Sequence, residues 1–369
     1  QAEDGIRDVE RSRGLGDVYK RQDIYILGIE TSCDDTCAAV VKNGSILLSN
    51  IVSSQEEIHR KYGGIVPEIA SRKHIEVIDI VIKEAMEKAG VDFSKISAVS
   101  VTNRPGLIGS LLVGMGAAKA ISYSKKIPLI AVNHLEAHIY SNVLENPDIT
   151  GNFIGLIVSG GHSTLYYVDR DWNVKEIGHT VDDAAGEAYD KIARYLNLGY
   201  PGGPVIDRLS QNGNPYYIDF PKPMMDSGDF NFSFSGLKTS LIYRTKKDKS
   251  LILKENIPDL VASFQRAIVE VLTEKTIKAG KKFGVKKILI SGGVAANSEL
   301  RKEFTRKGKE NNIKIYIPPL YLCVDNAAMV ACTGYYRFLR KKFNNLKVDV
   351  YSLSLIHISE PTRPLYISY

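Results

Sequence analysis

The sequence predicts an α/β fold that is built twice, giving two lobes with a cleft between them. An apolar strand runs directly into a Ser-Gly-Gly turn at two places, residues 159–161 and 291–293. Paired glycines after a buried strand let the backbone turn tightly and direct successive N–H groups at one point, which suits phosphate or carboxylate oxygens. One such turn is weak evidence, because Ser and Gly end many strands. Two of them favour a nucleotide held between the turns.

The first half of the chain begins with three strands, which we expect at residues 24–29, 37–42 and 45–51. A polar turn separates the first two, and an Asn-Gly pair between the last two favours a tight hairpin. Apolar side chains then share one face of a helix expected at 67–89. The elements that follow are a strand at 96–102, a helix after Gly106 and a strand at 129–132.

The second half repeats this order, with strands expected at residues 153–158, 164–169 and 174–180. Three strands followed by alternating helices and strands, present twice, are typical of the actin-like ATPase fold with its RNase H-like lobes. In that fold the nucleotide lies in the central cleft. The fold alone does not separate kinases, chaperones and filament proteins.

The two ends of the chain differ from its body. Residues 1–22 show no sustained periodicity, and residues 353–369 contain a stretch that resembles translated sequencing-adaptor read-through, so we interpret both as non-native tails. Between them we assign 23–133 together with 325–352 to the first lobe and 134–324 to the second. The cleft is expected where the lobes meet.

The composition indicates an ordinary globular protein of the cytoplasm. The chain has 369 residues, 44% of them apolar and 24% charged, and its four cysteines lack Cys-x-x-Cys spacing, which fits a reducing compartment. No stretch offers the ~18 apolar residues that a membrane span needs, so no membrane association is expected. The net charge of +6 is modest, but lysines and arginines gather in runs that suit a polyanion such as nucleic acid.

A pair of histidines indicates a metal site. His134 and His138 are four residues apart in a segment that Asn133 can cap as a helix, so both imidazoles share one helical face. The positive end of the helix dipole keeps the rings neutral, the form that binds metal. Chance also places histidines at this spacing, so further ligands are required. Asp325 is the candidate, because it stands just before a small-residue helix, although local sequence alone favours an ordinary helix N-cap there.

Seven motifs together resemble one family, the bacterial tRNA N6-adenosine threonylcarbamoyltransferases. The motifs occur in the family's order, and the resemblance covers about residues 24–352. Two positions depart from the usual pattern: Arg104 replaces a common Gly, and Val324 replaces a common Thr, which puts a hydroxyl contact there in doubt. The motifs lie at 29–36, 133–138, 158–162, 186–191, 200–204, 232–239 and 291–297.

The resemblance implies a group transfer. Members of the family take the threonylcarbamoyl group from threonylcarbamoyl-AMP and place it on N6 of the adenosine next to the anticodon, in tRNAs that read codons beginning with A. The resemblance also implies that His134, His138 and Asp325 hold one divalent metal, with Fe(2+) expected and Zn(2+) as the alternative. The implied partners are a non-catalytic paralogue, which forms a heterodimer with the enzyme, and a small ATPase of the same pathway.

The same resemblance implies the substrate contacts. The strand and turn at 157–161 would line the phosphate and the threonylcarbamoyl group, and later residues would contact the adenosine half of the intermediate. An aspartate can accept from ribose hydroxyls, and a glycine lets a base approach bare backbone. The predicted substrate-binding residues are Ile157, Val158, Ser159, Gly160, Gly161, Asp190, Gly203, Asp207 and Asn297.

The transfer also needs a base for the amine proton. The exocyclic amine of adenine is a poor nucleophile, so the activation stored in the mixed anhydride must be used through placement and charge stabilisation. Asp34 in the first polar turn is our candidate base, and Asp35 and Glu30 lie near it in sequence.

Three other interpretations stay open. A metallopeptidase is suggested by the His-x-x-x-His spacing, but Glu136 lies two residues after the first histidine, whereas the zincin pattern places its base one residue after it. A non-catalytic nucleotide-binding scaffold would use the same fold, yet that type of paralogue lacks the metal residues that are present here. A sugar or acetate kinase would account for the glycine turns alone.

Overall fold

The first half of the fold is one mixed sheet with helices on both faces. The computed structural model describes residues 23–352, and the tails predicted at 1–22 and 353–369 lie outside them. The elements of this half are β1 (Tyr25–Glu30), β2 (Thr36–Lys42), β3 (Ile46–Ser53), α1 (Glu56–Arg60), α2 (Pro67–Ala89), β4 (Ile96–Arg104), α3 (Ile108–Lys125), β5 (Leu129–Asn133) and α4 (His134–Glu145).

The second half contains another mixed sheet and the remaining helices. Its elements are β6 (Phe153–Val158), β7 (Ser163–Val168), β8 (Val174–His179), α5 (Ala185–Tyr195), α6 (Gly202–Ser210), α7 (Ser235–Lys247), α8 (Ile257–Lys282), β9 (Lys287–Ser291), α9 (Ser298–Glu310), β10 (Lys314–Tyr316), α10 (Leu320–Cys323) and α11 (Ala327–Leu339). Within residues 23–352, none of the helices combines the length and the apolar character that crossing a membrane requires.

The two sheets have the same topology, which confirms the predicted duplication. The strand order is β3-β2-β1-β4-β5 in the first sheet and β8-β7-β6-β9-β10 in the second. In each sheet the first three strands pair antiparallel and the last two join in parallel. The predicted hairpin is also confirmed, because Asn43 and Gly44 both have the positive φ that a type I′ turn needs, at 53° and 78°.

Two helices lie between the sheets and join the lobes. Along β1 the side chains alternate, so that Leu27 and Ile29 pack with α2 and α3 while Ile26 faces the opposite side. On that side α11 covers the first sheet, and α4 packs between α11 and the second sheet. The core shared by α4 and α11 therefore sets how the ends of the two sheets meet.

Helix α11 lies unusually close to β1. A Cβ atom on Gly28 would be 2.3 Å from the Ala327 carbonyl oxygen, and one on Gly334 would be 2.6 Å from Cβ of Ser100. Real Cβ atoms do not approach other atoms so closely, so glycine is required at both contacts. This contact fixes the start of α11 over the middle of the first sheet.

Gly28→Ala should destabilise the protein by about 1–3 kcal/mol, because the added methyl group overlaps the α11 backbone. The matched control is Gly116→Ala in α3, where an added Cβ meets nothing within 4 Å. That change should stabilise the helix by roughly 0.5–1 kcal/mol. Urea unfolding of the two variants tests the contact, and an equal effect of both substitutions would contradict it.

Candidate metal centre and active site

His134 and His138 lie in the first two turns of α4, directly after β5. Asn133 caps this helix as predicted, its side-chain oxygen accepting from the N–H groups of Leu135 at 2.8 Å and Glu136 at 3.2 Å. Because β1, β4 and β5 are parallel neighbours, their carboxyl ends meet at the sheet edge where α4 starts. The two imidazoles stand on one helical face with ring centroids 4.7 Å apart.

Asp325 reaches these histidines from a distant part of the chain. It lies in the short connection between α10 and α11. The N-cap of α11 is its neighbour Asn326, whose side-chain oxygen accepts from the Met329 N–H at 3.0 Å. The alternative in which Asp325 is an ordinary N-cap is therefore wrong, and its carboxylate is left for the cleft.

The three predicted metal ligands come together. Oδ1 of Asp325 is 3.4 Å from Nε2 of His134 and 3.2 Å from Nε2 of His138. One ligand atom from each residue lies within 4.8 Å of the other two. Among the described residues, Nδ1 of the buried His138 has no hydrogen-bond partner, and Asp325 is the acidic group that lies beside its Nε2. Two imidazoles and one carboxylate therefore fit a divalent metal with open coordination positions.

Glu30 supports the metal centre from the end of β1. Its Oε2 lies 3.0 Å from Nδ1 of His134 and accepts from the Thr102 hydroxyl at 2.6 Å, while Oε1 accepts from the Ser32 N–H at 2.6 Å. A carboxylate on the outer nitrogen of a ligating histidine fixes the ring and its tautomer. Sequence analysis named Glu30 only as a neighbour of Asp34. The signal was its place at the carboxyl end of a central strand, where polar groups of neighbouring parallel strands meet.

The buried charges of this centre compensate one another. Burial alone lowers the pKa of His134, but the carboxylates of Asp325 and Glu30 outweigh burial and raise that pKa to about 9. Burial raises the pKa of both carboxyl groups, yet the charge of His134 lowers each pKa below its ordinary value. The buried Glu30 and the partly buried Asp325 therefore favour a positive charge beside them, which a divalent cation supplies in exchange for a proton.

The turn that carries Asp34 is held by a buried histidine of α2. Nε2 of His74 lies 3.0 Å from the Cys33 carbonyl oxygen and donates to it, and Nδ1 accepts from the Thr36 hydroxyl at 2.7 Å. Burial lowers the pKa of His74, which keeps the ring neutral and preserves this pattern. Both ends of the turn are thereby fixed to α2.

The carboxyl groups in this turn have the character of bases. Burial raises the pKa of Asp34, and burial together with the charges of Asp34 and Asp325 raises the pKa of Asp35 to about 7. A base is most effective when its pKa lies near the working pH. Asp34 and Asp35 therefore both stay candidates for the base that takes the amine proton. Glu30 is a poorer candidate, because its carboxylate is hydrogen-bonded to His134.

Both glycine turns line one cavity of about 590 Å³, which begins beside Asp325 at Val324. Gly160 and Gly293 belong to its wall, and a Cβ added to either would meet nothing within 4 Å, so the backbone there is open. This arrangement is the one predicted for a nucleotide held between the turns. The predicted residues that line this cavity are Gly160, Asp190, Gly203, Asp207 and Asn297.

Several of the predicted substrate residues also hold the wall in shape. Asp190 accepts from the Gly202 N–H at 2.7 Å. Asp207 accepts from the Ser298 N–H at 3.1 Å and hydroxyl at 2.8 Å, and Asn297 caps α9 through the Leu300 N–H at 2.9 Å. The contacts of these three residues with a substrate stay predictions. Such contacts would use the side-chain atoms that the hydrogen bonds within the wall leave free.

The predicted contacts at 157–161 include buried strand residues and more accessible turn residues. Ile157 and Val158 have fully buried side chains, so only their backbone could reach a ligand. Ser159 closes the turn, because its N–H donates to the His162 carbonyl at 2.8 Å and its hydroxyl accepts from the His162 N–H at 3.2 Å. Gly160 is exposed within this turn.

Two tyrosines of the cavity wall, Tyr189 and Tyr200, are not among the predicted site residues. The hydroxyl of Tyr189 is buried without a hydrogen-bond partner among the described residues, and burial raises its pKa. Burial and then the charges of Asp190 and Asp34 raise the pKa of Tyr200 to about 12. In the sequence, Tyr189 falls on the apolar face of an amphipathic helix, so periodicity predicts a core residue there and does not indicate a binding site.

Comparison with known proteins identifies the family. The TsaD family model, described as tRNA N6-adenosine threonylcarbamoyltransferase, matches residues 46–332. The chain belongs to this family. It is 50% identical over 332 residues to the tRNA N6-adenosine threonylcarbamoyltransferase of Clostridioides difficile, a match that covers 89% of this chain and 97% of the relative. The enzyme of the same name from Thermosipho africanus is 52% identical over 85% of this chain and 94% of its own length.

Solved structures confirm the actin-like ATPase architecture of this transferase family. The structure of HypF from T. kodakarensis matches with a TM-score of 0.59 at 16% identity, covering 88% of this chain and 49% of HypF. Component A of the Acidaminococcus fermentans (R)-2-hydroxyglutaryl-CoA dehydratase matches with a TM-score of 0.52 at 16% identity. The match covers 85% of this chain and 98% of component A. At this identity the likeness concerns the fold alone.

Two substitutions of His74 should differ in their effect on transfer activity: one should preserve it and the other should lower it. Gln places an amide N–H near the position of Nε2 and can keep the bond to the Cys33 carbonyl, whereas Asn reaches only the position of Nδ1. We expect His74→Gln to keep kcat within about threefold and His74→Asn to lower it roughly 10–100-fold, as for other supporting residues. Steady-state kinetics measures both. Equal loss in the two variants, with equal unfolding midpoints, would show that His74 acts only through packing.

Proposed function

We propose that this chain transfers the threonylcarbamoyl group from threonylcarbamoyl-AMP to N6 of the adenosine next to the anticodon, in tRNAs that read codons beginning with A. The observation that carries this proposal is the ligand set of His134, His138 and Asp325 at one end of a cavity lined by both glycine turns. A cavity of this size and lining accommodates a nucleotide. In this proposal the reacting carbonyl of the bound intermediate faces the ligand set, beside Val324 at the cavity wall.

A metallopeptidase is less well supported. The glutamate between the histidines, Glu136, forms an ion pair with Arg337 of α11, with the carboxylate oxygen 2.6 Å from the guanidinium nitrogen. A zincin needs its glutamate free to activate water beside the metal. A pure scaffold is also less well supported, because it would have no use for three converging metal ligands.

His134, His138 and Asp325 would hold one divalent ion, Fe(2+) by family resemblance or Zn(2+) as the alternative. When bound, such an ion polarises a carbonyl or phosphoryl oxygen and neutralises negative charge. Glu30 orients the His134 ring for this role through Nδ1. All four side chains are positioned by the folded chain itself, so the centre is preorganised.

The residues of the chain provide the remaining requirements of the transfer. The backbone at Gly160 and Gly161 is open, because a Cβ added to either would meet nothing within 4 Å, and N–H groups of this turn would bind the oxygens of the phosphate that leaves with AMP. In the reaction a bond forms between N6 and the carbamoyl carbon, and the bond from that carbon to the phosphate oxygen breaks. The proton lost by N6 passes to the carboxylate of Asp34, which burial makes more basic.

The apolar outer face of α2 and α3 is our candidate surface for the paralogue in a heterodimer. Ile75, Leu112 and Tyr123 are 65%, 51% and 75% exposed, and a groove of about 430 Å³ runs between the two helices. Apolar exposure of this kind marks an interface with another protein. The small ATPase of the pathway would join this assembly, and we propose that the complex works in the cytoplasm.

The transfer itself is tested with purified protein, threonylcarbamoyl-AMP and a tRNA transcript. Wild-type protein should form N6-threonylcarbamoyladenosine, detected by mass spectrometry of the digested tRNA. His138→Ala should lower the bound metal from about one ion per chain to below a tenth, and should lower transfer at least 100-fold, because removal of one ligand opens the site. A fully active metal-free variant would contradict the proposed centre, and release of peptides or phosphorylated sugars would contradict the proposed reaction.

Asp34→Asn tests the base separately from the metal. The amide has nearly the same shape but cannot take a proton, so transfer should fall roughly 100–10,000-fold with little change in affinity for threonylcarbamoyl-AMP. Asp35→Asn is the matched control and should keep most of the activity. If Asp34→Asn transfers at the wild-type rate while Asp35→Asn does not, Asp35 is the base.

A further inference from the structure

The segment of residues 54–66, which we name the strap, crosses from the first sheet to the helices of the second half. It contains α1 and ends where α2 begins. The fully buried His59 holds the strap together internally, because its Nδ1 accepts from the Val66 N–H at 3.3 Å. At the start of the strap, the Gln55 side chain donates to the Ala70 carbonyl of α2 at 3.4 Å. Near its end, the Arg194 guanidinium of α5 donates to the Gly63 carbonyl, so the strap contacts both halves of the fold.

A second cavity of about 600 Å³ lies outside the nucleotide cavity, between the strap and helices α5 and α6. We name it the outer cavity. Arg60 and Gly63 line it from the strap, and Arg194 lines it from α5. Asp190 and Tyr200 belong to the walls of both cavities. The outer cavity is thus the space adjoining the proposed intermediate on its solvent side.

Arginine side chains line the outer cavity from two sides, Arg60 from the strap and Arg194 from α5. Beside the cavity the strap continues with Lys61 and Tyr62, which are both exposed, with Tyr62 at 60%. Two acidic groups here are engaged, because Glu56 forms an exposed ion pair with Arg60 at 2.8 Å and Asp190 accepts from the Gly202 N–H. An exposed ion pair contributes little and is readily exchanged for a phosphate.

This combination suits single-stranded RNA better than a free nucleotide. Single-stranded loops are recognised by cations that contact the backbone and by aromatic side chains on which unstacked bases lie. A free nucleotide would find its enclosed pocket and glycine turns in the neighbouring cavity instead. The outer cavity offers two guanidinium groups, and the strap beside it carries the exposed Tyr62.

We propose that the outer cavity binds the anticodon loop of the RNA substrate, with Arg60 and Arg194 contacting backbone phosphates and Tyr62 stacking on a base next to the target adenosine. The proposal rests on the proposed function, which makes RNA the acceptor. The wall that the two cavities share would then separate the bound loop from the bound intermediate, and the target base would cross it to reach the Asp34 turn.

The test measures binding of a fluorescent anticodon stem-loop RNA by anisotropy at several salt concentrations, using the full chain. Arg60→Ala combined with Arg194→Ala should weaken binding at least tenfold, and the slope of log K against log salt should become shallower by about 0.7 for each phosphate that is no longer neutralised. Arg194→Lys keeps the charge and should keep the slope. Tyr62→Ala should weaken binding about tenfold, with Tyr62→Phe close to wild type.

Controls separate the possible outcomes. Arg306→Ala on α9 removes an arginine that is paired with Glu303 and Glu310 and should leave RNA binding unchanged. In transfer assays the double variant should raise KM for tRNA at least tenfold with kcat within about twofold, and AMP binding should be unaffected. Three outcomes would each overturn the proposal. The double variant could keep the wild-type RNA affinity and salt slope, it could lose AMP binding instead of RNA binding, or only Arg306→Ala could bind RNA more weakly. RNA binding is measured without turnover, so an inactive wild-type protein would refute the proposed function separately.

Discussion

The close contact between α11 and β1 is the constraint on which the site depends. The start of α11 can lie over the first sheet only because position 28 has no side chain, and Asp325 stands two residues before that start. The histidines come from α4, which packs against α11 in the same core. Backbone contact and apolar packing therefore place a carboxylate and two imidazoles within a few ångströms, although the groups are far apart in sequence.

The site brings two carboxylates together beside a largely buried histidine, with Glu30 fully buried and Asp325 partly exposed. Glu30 and Asp325 are held on either side of His134, and the hydroxyl of Thr102 and the N–H of Ser32 satisfy further lone pairs of Glu30. Burying two carboxylates is costly unless cations compensate them. The negative charges that raise the pKa of His134 thus also favour a divalent cation. The folded chain already holds the ligands together, so binding the cation requires little rearrangement.

Much of this architecture could be predicted from sequence, because its signals are local. The strands around Asn43-Gly44, helix α2 and both glycine turns follow from periodicity and turn chemistry, and the histidine spacing on α4 is a helical property. The convergence of Asp325 with His134 could not be read from local sequence, which favoured a helix cap there. The contributions of Glu30 and His74 were likewise hidden, since each acts through a partner that only the tertiary fold brings near. Family resemblance supplied what periodicity could not.

The fold by itself does not select the chemistry. Proteins as different as HypF and a dehydratase component share this fold at 16% identity, so the fold is a frame common to different functions. What distinguishes this chain lies at the carboxyl ends of the strands and in the connections that follow them. The first sheet contributes Glu30 and the Asp34 turn, and α4 contributes the histidines. The strap then narrows the approach from the solvent side, where Arg194 joins it to the second half. In the proposed reaction a bound nucleotide and a large acceptor meet at one centre, and the two cavities, which share Asp190 and Tyr200, would give each substrate its own approach.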